Sequence, residues 1–203
     1  MIALNPSKII GVGRNYRAHA AELGNPMPPE PILFLKPPSS LLTDGETIRL
    51  PALSSRVEME SEIGVVILER VRDISPEAAE KVPLGITCVN DVTARDLQKA
   101  DGQWSRAKGF DTFCPAGPLV AVGLDWRELE VIGRLNGAEV QRARSSDMAF
   151  PIPFIISHIS RVMTLMPGDL IATGTPAGTA ALATGDVVEV EIPGVGVLRN
   201  PVG

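Results

Sequence analysis

Three glutamates at alternating positions, Glu58, Glu60 and Glu62, make up the most chemically suggestive stretch of this chain. On a β-strand, residues two apart share a face and lie ~7 Å apart. Carboxylates so placed repel one another unless water or a cation intervenes. A solvated strand face is one reading. The other comes from Glu62 leading straight into Ile63-Gly64-Val65-Val66-Ile67-Leu68, so that the acidic groups sit where a polar strand end meets the core. Such a place suits a hard divalent cation with oxygen ligands, magnesium or calcium. His19 and Glu22 stand three apart on a predicted short helix, within reach of each other. A histidine oriented by a carboxylate is a workable general base, and a surface ion pair is the plainer alternative. Asp91 follows an apolar run at its carboxyl end, where side chains often face a site, although Asn-Asp also makes ordinary turns. Lys108 fits either an anion contact or plain surface charge. The turn Thr173-Gly174-Thr175-Pro176-Ala177-Gly178 can offer N–H groups and the Thr175 hydroxyl to a carboxylate.

The elements that must position these groups are short. Nineteen glycines and 18 prolines, spread without repeat, cut the chain into strands joined by turns, with few helices. Strands are predicted over residues 8–13, 32–35, 60–68, 84–89 and 185–192, and helices over 16–23, 75–81 and 154–164. Ser75 caps the second helix and Pro76 takes its first position. Residues 131–140 form a hairpin turning at Asn136-Gly137. His158 falls within the last, apolar helix and is predicted to be a core or partly exposed residue. Together the segments predict a β-rich α+β domain with no linker. Gly11-Val12-Gly13 after a strand invites a dinucleotide reading, but Tyr16 stands where that fingerprint needs a third glycine.

A chain of 203 residues suits one domain, and at that size it buries roughly 70% of its unfolded surface. A net charge of −5 and only eight aromatic residues argue against a nucleic-acid partner, which needs a basic stripe or stacking platform. Cys88 and Cys114 are too few for a disulfide framework and match no zinc spacing. No apolar run approaches the ~18 residues that span a bilayer. The start of the chain lacks the basic flank and apolar centre of a signal peptide, so a cytoplasmic location and no membrane partner are expected.

Taken in order, the motifs resemble the fumarylacetoacetate hydrolase family, in particular its short acylpyruvate hydrolase, oxaloacetate decarboxylase and hydroxyheptadienedioate isomerase branch. The resemblance spans nearly the whole chain. It is carried by GVGRNYRAHAAELG (11–24), PILFLKPPSSL (31–41), VEMESEIGVVI (57–67), CVNDVTARDLQ (88–98), WSRAKGFDTFCPAGP (104–118), LNGAEVQ (135–141), PGDLIATGTPAGT (167–179) and GDVVEVEIPGVGVLRNPV (185–202). It implies a mixed β-sheet roll with a few peripheral helices, one catalytic domain over residues 1–203, and a homodimer. Glu60, Glu62 and Asp91 match the family's ligands for magnesium or manganese, with calcium a further option, while Glu58 matches an acidic position that is not a ligand. His19 and Glu22 match a water-activating dyad, and Lys108 a lysine that meets substrate. Arg14, Tyr16, Arg95, Gln98 and Thr175 match substrate contacts. Many bacterial relatives carry several dozen more residues before the GRNY block, where this chain has about ten. That difference is expected to leave metal and dyad untouched and to expose surface. The expected substrate is a small α-keto acid whose developing enolate a cation stabilises. Acylpyruvate hydrolysis is the preferred reaction, with isomerisation or oxaloacetate decarboxylation and tautomerisation as alternatives. A non-catalytic metal-binding scaffold is the reading of another class. Residues 98–110 are expected to order as a lid over ligand.

Overall fold

Apolar runs interrupted by glycine and proline leave little choice but short strands that bury against one another, and the computed structural model, which describes residues 4–203, shows that outcome. The largest sheet orders its strands Ile32–Lys36, Ile9–Gly13, Leu170–Ala172, Ser61–Ile67, Leu84–Asn90, Cys114–Val122 and Leu41–Leu42. It is mixed: Ile9–Gly13 runs parallel to Leu170–Ala172, whereas Ser61–Ile67 is antiparallel to both of its neighbours. A second sheet orders Ala138–Arg144, Glu130–Leu135, Val187–Ile192 and Gly196–Pro201, and a small third one Ala180–Ala181, Val57–Met59 and Thr93–Ala94. The architecture is α+β and strand-rich, as expected. Among the described residues no helix is long and apolar enough to cross a membrane. Residues 1–3 of the predicted amino-terminal segment lie outside the described residues.

The two faces of the large sheet do different work. Ile63, Val65, Ile67, Ile86 and Cys88 face the main core, where they meet Val131 and Val190 of the second sheet and Ile152, Ile155, Ile156 and Ile159 of the helix Ile152–Val162. The opposite face packs a smaller core around Val66, Val89, Leu170 and Ala172, and there the functional groups lie. Strand directions explain why. The carboxyl ends of Ile9–Gly13, Leu170–Ala172 and Leu84–Asn90 come to the same end of the sheet as the amino end of Ser61–Ile67. Chain segments that leave or enter there carry Arg14 and His19, Thr175, Asp91, and Glu60 with Glu62.

Most predicted elements are present. Ser75 Oγ accepts the Ala78 N–H at 3.2 Å and caps Pro76–Ala79. Asn136 and Gly137 adopt φ of 54° and 80°, the left-handed pair that a tight hairpin turn requires. Two expectations need correction. The strand predicted over 60–68 does not hold the three glutamates on one face, because strand structure is interrupted at Glu60 and Glu58 belongs to Val57–Met59 in another sheet. Nor does Ser61–Ile67 have a polar end in water, since all seven residues are buried. The helices Arg95–Asp101 and Ser105–Lys108 lie in a stretch with no apolar periodicity, and they form walls of the site.

Candidate active site

A cavity of about 360 Å³ opens at that end of the sheet, lined by acidic, basic and aromatic side chains together. At its floor Glu60, Glu62 and Asp91, all buried, bring one carboxylate oxygen each to within 4.8 Å of one another. Glu60 sits between the strands Val57–Met59 and Ser61–Ile67, Glu62 is the second residue of the latter, and Asp91 directly follows Leu84–Asn90, with its N–H donating to the Glu60 carbonyl at 2.8 Å. Glu58 is outside this group. Its carboxylate is spent on Arg56 Nε at 2.6 Å, Arg95 Nε at 2.8 Å and Thr179 Oγ1 at 3.2 Å.

Each carboxylate of the trio is held from behind. Arg95 Nη2 donates to Glu60 Oε1, the Gly174 N–H donates to Glu62 Oε2 at 2.7 Å, and Lys36 Nζ donates to Asp91 Oδ1 at 2.6 Å. Lys108 Nζ then bridges Glu60 Oε2 at 2.7 Å and Asp91 Oδ2 at 2.6 Å. Burial alone would raise the Glu60 carboxyl, but Lys108 and Arg95 outweigh it and hold the group at about 2. For Glu62 the balance is reversed. Burial, then Asp91 and Glu60, push its carboxyl well above the usual range, and among the described residues no cation lies within ion-pair distance of it. Burial works against the charge of Lys108, yet the facing Asp91, Glu60 and Glu62 keep its ammonium more firmly protonated than an ordinary lysine. Hard, buried oxygen donors converging on one point, with one carboxylate lacking a counter-charge, fit a divalent cation.

On one wall His19, buried on the helix Arg17–Glu22, has Nδ1 3.2 Å from Glu22 Oε2. Glu22 is itself pinned by the Gly178 N–H at 3.1 Å, so the two predicted motifs, helix and glycine-threonine turn, lock together. Phe34 and Trp104 meet edge to face at 5.3 Å, and Lys108 Nζ lies 5.0 Å from the Phe34 ring. A Cβ at Gly11 would come within 2.0 Å of Phe34, and one at Gly13 within 2.4 Å of Trp104. Those glycines make room for the cavity's aromatic wall, not for a nucleotide.

The structure brings Arg14, His19, Arg95, Gln98, Lys108 and Thr175 to the cavity with the three carboxylates. Tyr16 is a correction. Its ring is in the main core and does not line the cavity, and among the described residues its buried hydroxyl has no hydrogen-bond partner. Arg95 and Thr175 are also less available than expected. Arg95 is committed to Glu58, Glu60 and Gln98, and the Thr175 hydroxyl donates to the Ser61 carbonyl at 3.0 Å while accepting from Gln141 Nε2 at 2.8 Å. Residues 98–110, expected as a lid, contribute Gln98, Lys99, Gly102, Trp104 and Lys108 to the lining. Lys36 was not anticipated. In sequence it only ends an apolar strand before Pro37-Pro38, and nothing there signals a lysine that is 1% exposed.

Comparison with known proteins identifies the family. The family model for the fumarylacetoacetate (FAA) hydrolase C-terminal region matches residues 8–203. The chain belongs to the fumarylacetoacetate hydrolase family, a family of enzymes. An Arabidopsis thaliana protein named oxaloacetate tautomerase FAHD1, mitochondrial, is 42% identical over 195 residues, covering 93% of this chain and 87% of its own. A Dictyostelium discoideum protein named oxaloacetate decarboxylase, mitochondrial, is 41% identical over 195 residues, covering 93% and 89%. The crystal structure of 2-hydroxyhepta-2,4-diene-1,7-dioate isomerase from Mycobacterium marinum superposes with a TM-score of 0.88 at 46% identity, covering 97% of this chain and 74% of that one.

Proposed function

We propose that this chain is a divalent-cation enzyme that moves a proton between carbon and oxygen of a small α-keto dicarboxylic acid, interconverting keto and enol forms. The observation that carries the reading is the meeting, in one cavity, of the buried carboxylate trio with the His19–Glu22 dyad. Glu60, Glu62 and Asp91 would hold magnesium or manganese, which when bound supplies a Lewis acid against negative charge on a substrate oxygen. The Lys108 ammonium adds a second positive group beside the same carboxylates. Glu22 engages His19 Nδ1 and so leaves Nε2 as the proton acceptor. His19 then takes the proton from the carbon beside the keto group and delivers it to the oxygen, or runs the same transfer in reverse. The aromatic pair Phe34 and Trp104 keeps bulk water from one side of the reacting carbon. The names of the Arabidopsis and Mycobacterium marinum relatives favour this order of preference over hydrolysis.

Acylpyruvate hydrolysis is the second reading. The pinning of Glu22 by Gly178 favours it, because a rigid dyad can equally take a proton from water and aim it at a distal carbonyl. The experiment is a side-by-side assay of purified protein on oxaloacetate, followed by the ultraviolet absorbance of its enol, and on acetylpyruvate, each with magnesium, manganese or a chelator. Ion-dependent acceleration of enol–keto exchange supports the proposal. Cleavage of acetylpyruvate to pyruvate without any effect on the oxaloacetate enol overturns it in favour of hydrolysis, and turnover unaffected by chelation overturns both.

A further inference from the structure

We infer that Gln141 is a positioning residue for the proton-transfer dyad: it clamps the far half of the turn 173–178, whose Gly178 N–H holds Glu22 and through it His19. The inference rests on His19 and Glu22 acting as proposed above. Three features bring Gln141 to that place. In the strand Ala138–Arg144 the ladder slips by one residue between Glu139 and Gln141, a bulge at Val140, and Gln141 is the one buried residue of the seven. Such a bulge re-aims a side chain. Opposite Gln141 stands Gly133, where a Cβ would come within 2.2 Å of Ser61 Oγ and 3.2 Å of Gln141 Cβ, so the missing side chain gives passage to the large sheet. A Cβ at Gly178 would come within 2.0 Å of the Val140 carbonyl, so the turn rests directly on the bulge.

Backbone partners settle which way the amide points. The Ser61 N–H can only donate, and it meets Gln141 Oε1 at 2.9 Å, while the Pro176 carbonyl can only accept, and it meets Nε2 at 2.8 Å. The second Nε2 hydrogen goes to Thr175 Oγ1 at 2.8 Å. The turn is thus held in two separate halves. In the first, the Thr173 N–H and hydroxyl donate to the Ile63 carbonyl at 3.2 and 2.8 Å, and Asn15 Nδ2 donates to the Thr173 carbonyl at 2.8 Å. That half carries the Gly174 N–H that sets Glu62. The second half runs from Pro176 to Gly178, and among the described residues Gln141 is its one side-chain anchor besides Glu22. Glu22 in turn is held only by Gly178 and His19 among the described residues, with its side chain 38% exposed. Gln141 does not line the cavity. Without its amide, Gly178 is free to drift, Glu22 can swing into water, and His19 Nδ1 loses the acceptor that keeps the proton there and Nε2 open. The half that sets Glu62 keeps its own anchors.

The test uses Gln141→Met and Gln141→Asn, the second an amide one methylene too short to span strand and turn. The chain has two histidines, so magnetic resonance of isotope-labelled imidazole nitrogens reads His19 against His158 as an internal control, with no substrate present. At about pH 9, where an ordinary histidine ring is neutral, wild type is expected to carry the His19 proton on Nδ1. Both variants should shift His19 toward the form protonated at Nε2, as Glu22→Ala should, and leave His158 unmoved. In the enol–keto assay each should lower turnover by about 10-fold. In a Glu22→Ala background the same change should cost less than about 2-fold, because the two residues act in one chain. Manganese affinity should stay within a small factor of wild type by calorimetry. A folded variant with wild-type His19 signals overturns the inference. So does one in which His158 moves as far, or in which manganese binding is lost as well, since the whole domain has then loosened. A wild type with the His19 proton on Nε2 overturns it too, and so does a chain that folds with neither residue, which makes Gln141 purely structural. A wild type that turns over no keto acid, while its His19 signals respond as expected, overturns the reaction proposed above and upholds the clamp.

Discussion

Glu62→Gln should make the metal-free protein more stable and the metal-loaded protein less so. Three buried carboxylates meet at the site with Glu58 buried beside them, and Glu58, Glu60 and Asp91 each have a lysine or arginine within ion-pair distance. Among the described residues Glu62 has only the Gly174 N–H at 2.7 Å, a bond that the glutamine carbonyl can keep. Its carboxyl is held well above the usual range by burial and then by Asp91, so the folded state binds the extra proton. For such a group the stabilising contribution is full below the ordinary carboxylate range and is lost as pH climbs toward the folded value. Removing the charge should therefore raise stability at alkaline pH, by ~1.4 kcal/mol for each pH unit of that displacement. For a chain of this size that is a rise in Tm of ~2–4 °C per kcal/mol. The gain should vanish below about pH 3, where Glu62 is protonated in both states. With an ion at about 1,000 times its Kd, wild type gains ~4.1 kcal/mol that a variant unable to bind it does not, and the order reverses. Calorimetric melting of both proteins across pH, with chelator and with magnesium, reads all three effects. A metal-free Glu62→Gln protein that melts below wild type at alkaline pH refutes the reasoning, because Glu62 would then have a compensating charge in the fold.

Three further outcomes are expected. His19→Ala should reduce turnover by about 10²–10⁴-fold while leaving ion affinity within a small factor of wild type, as separate rate and calorimetric titrations would show. Tyr16→Phe removes a buried hydroxyl that has no partner, so denaturant unfolding should show equal stability or a gain of about 1 kcal/mol, not the usual loss. Gly174→Ala should lose both stability, by more than about 1 kcal/mol, and ion affinity, because φ is 104° there and a Cβ would come within 2.7 Å of Asn15 Cβ. Retained ion binding in that variant would show that the Gly174 N–H is not needed to set Glu62.

The sequence is most informative where chemistry is local. The Ser75 cap, the Asn136-Gly137 turn and the His19–Glu22 spacing each involve residues no more than a few positions apart, and the structure contains all three contacts. Alternation of Glu58, Glu60 and Glu62 misleads because a strand period holds only while the strand continues, and the chain changes sheets at Glu60. Arg95 and Lys36 are illegible for a related reason. Their partners are 35 and 55 residues away, and an isolated basic residue beside an apolar strand or at a helix start is usually solvated. Tyr16 shows the opposite error, since a motif position inherited by resemblance says nothing about which way the ring turns, and here it turns into the core.

The bond from Gly174 to Glu62 spans 112 residues, and that from Gly178 to Glu22 spans 156. During synthesis, therefore, the carboxylates at positions 60, 62 and 91 leave the ribosome long before the turn that aligns Glu62 and steadies the dyad. A nascent chain halted ahead of that turn would expose its acidic groups without the N–H groups that hold Glu62 and Glu22. That hold arrives late, when the last quarter of the polypeptide folds back across the first half.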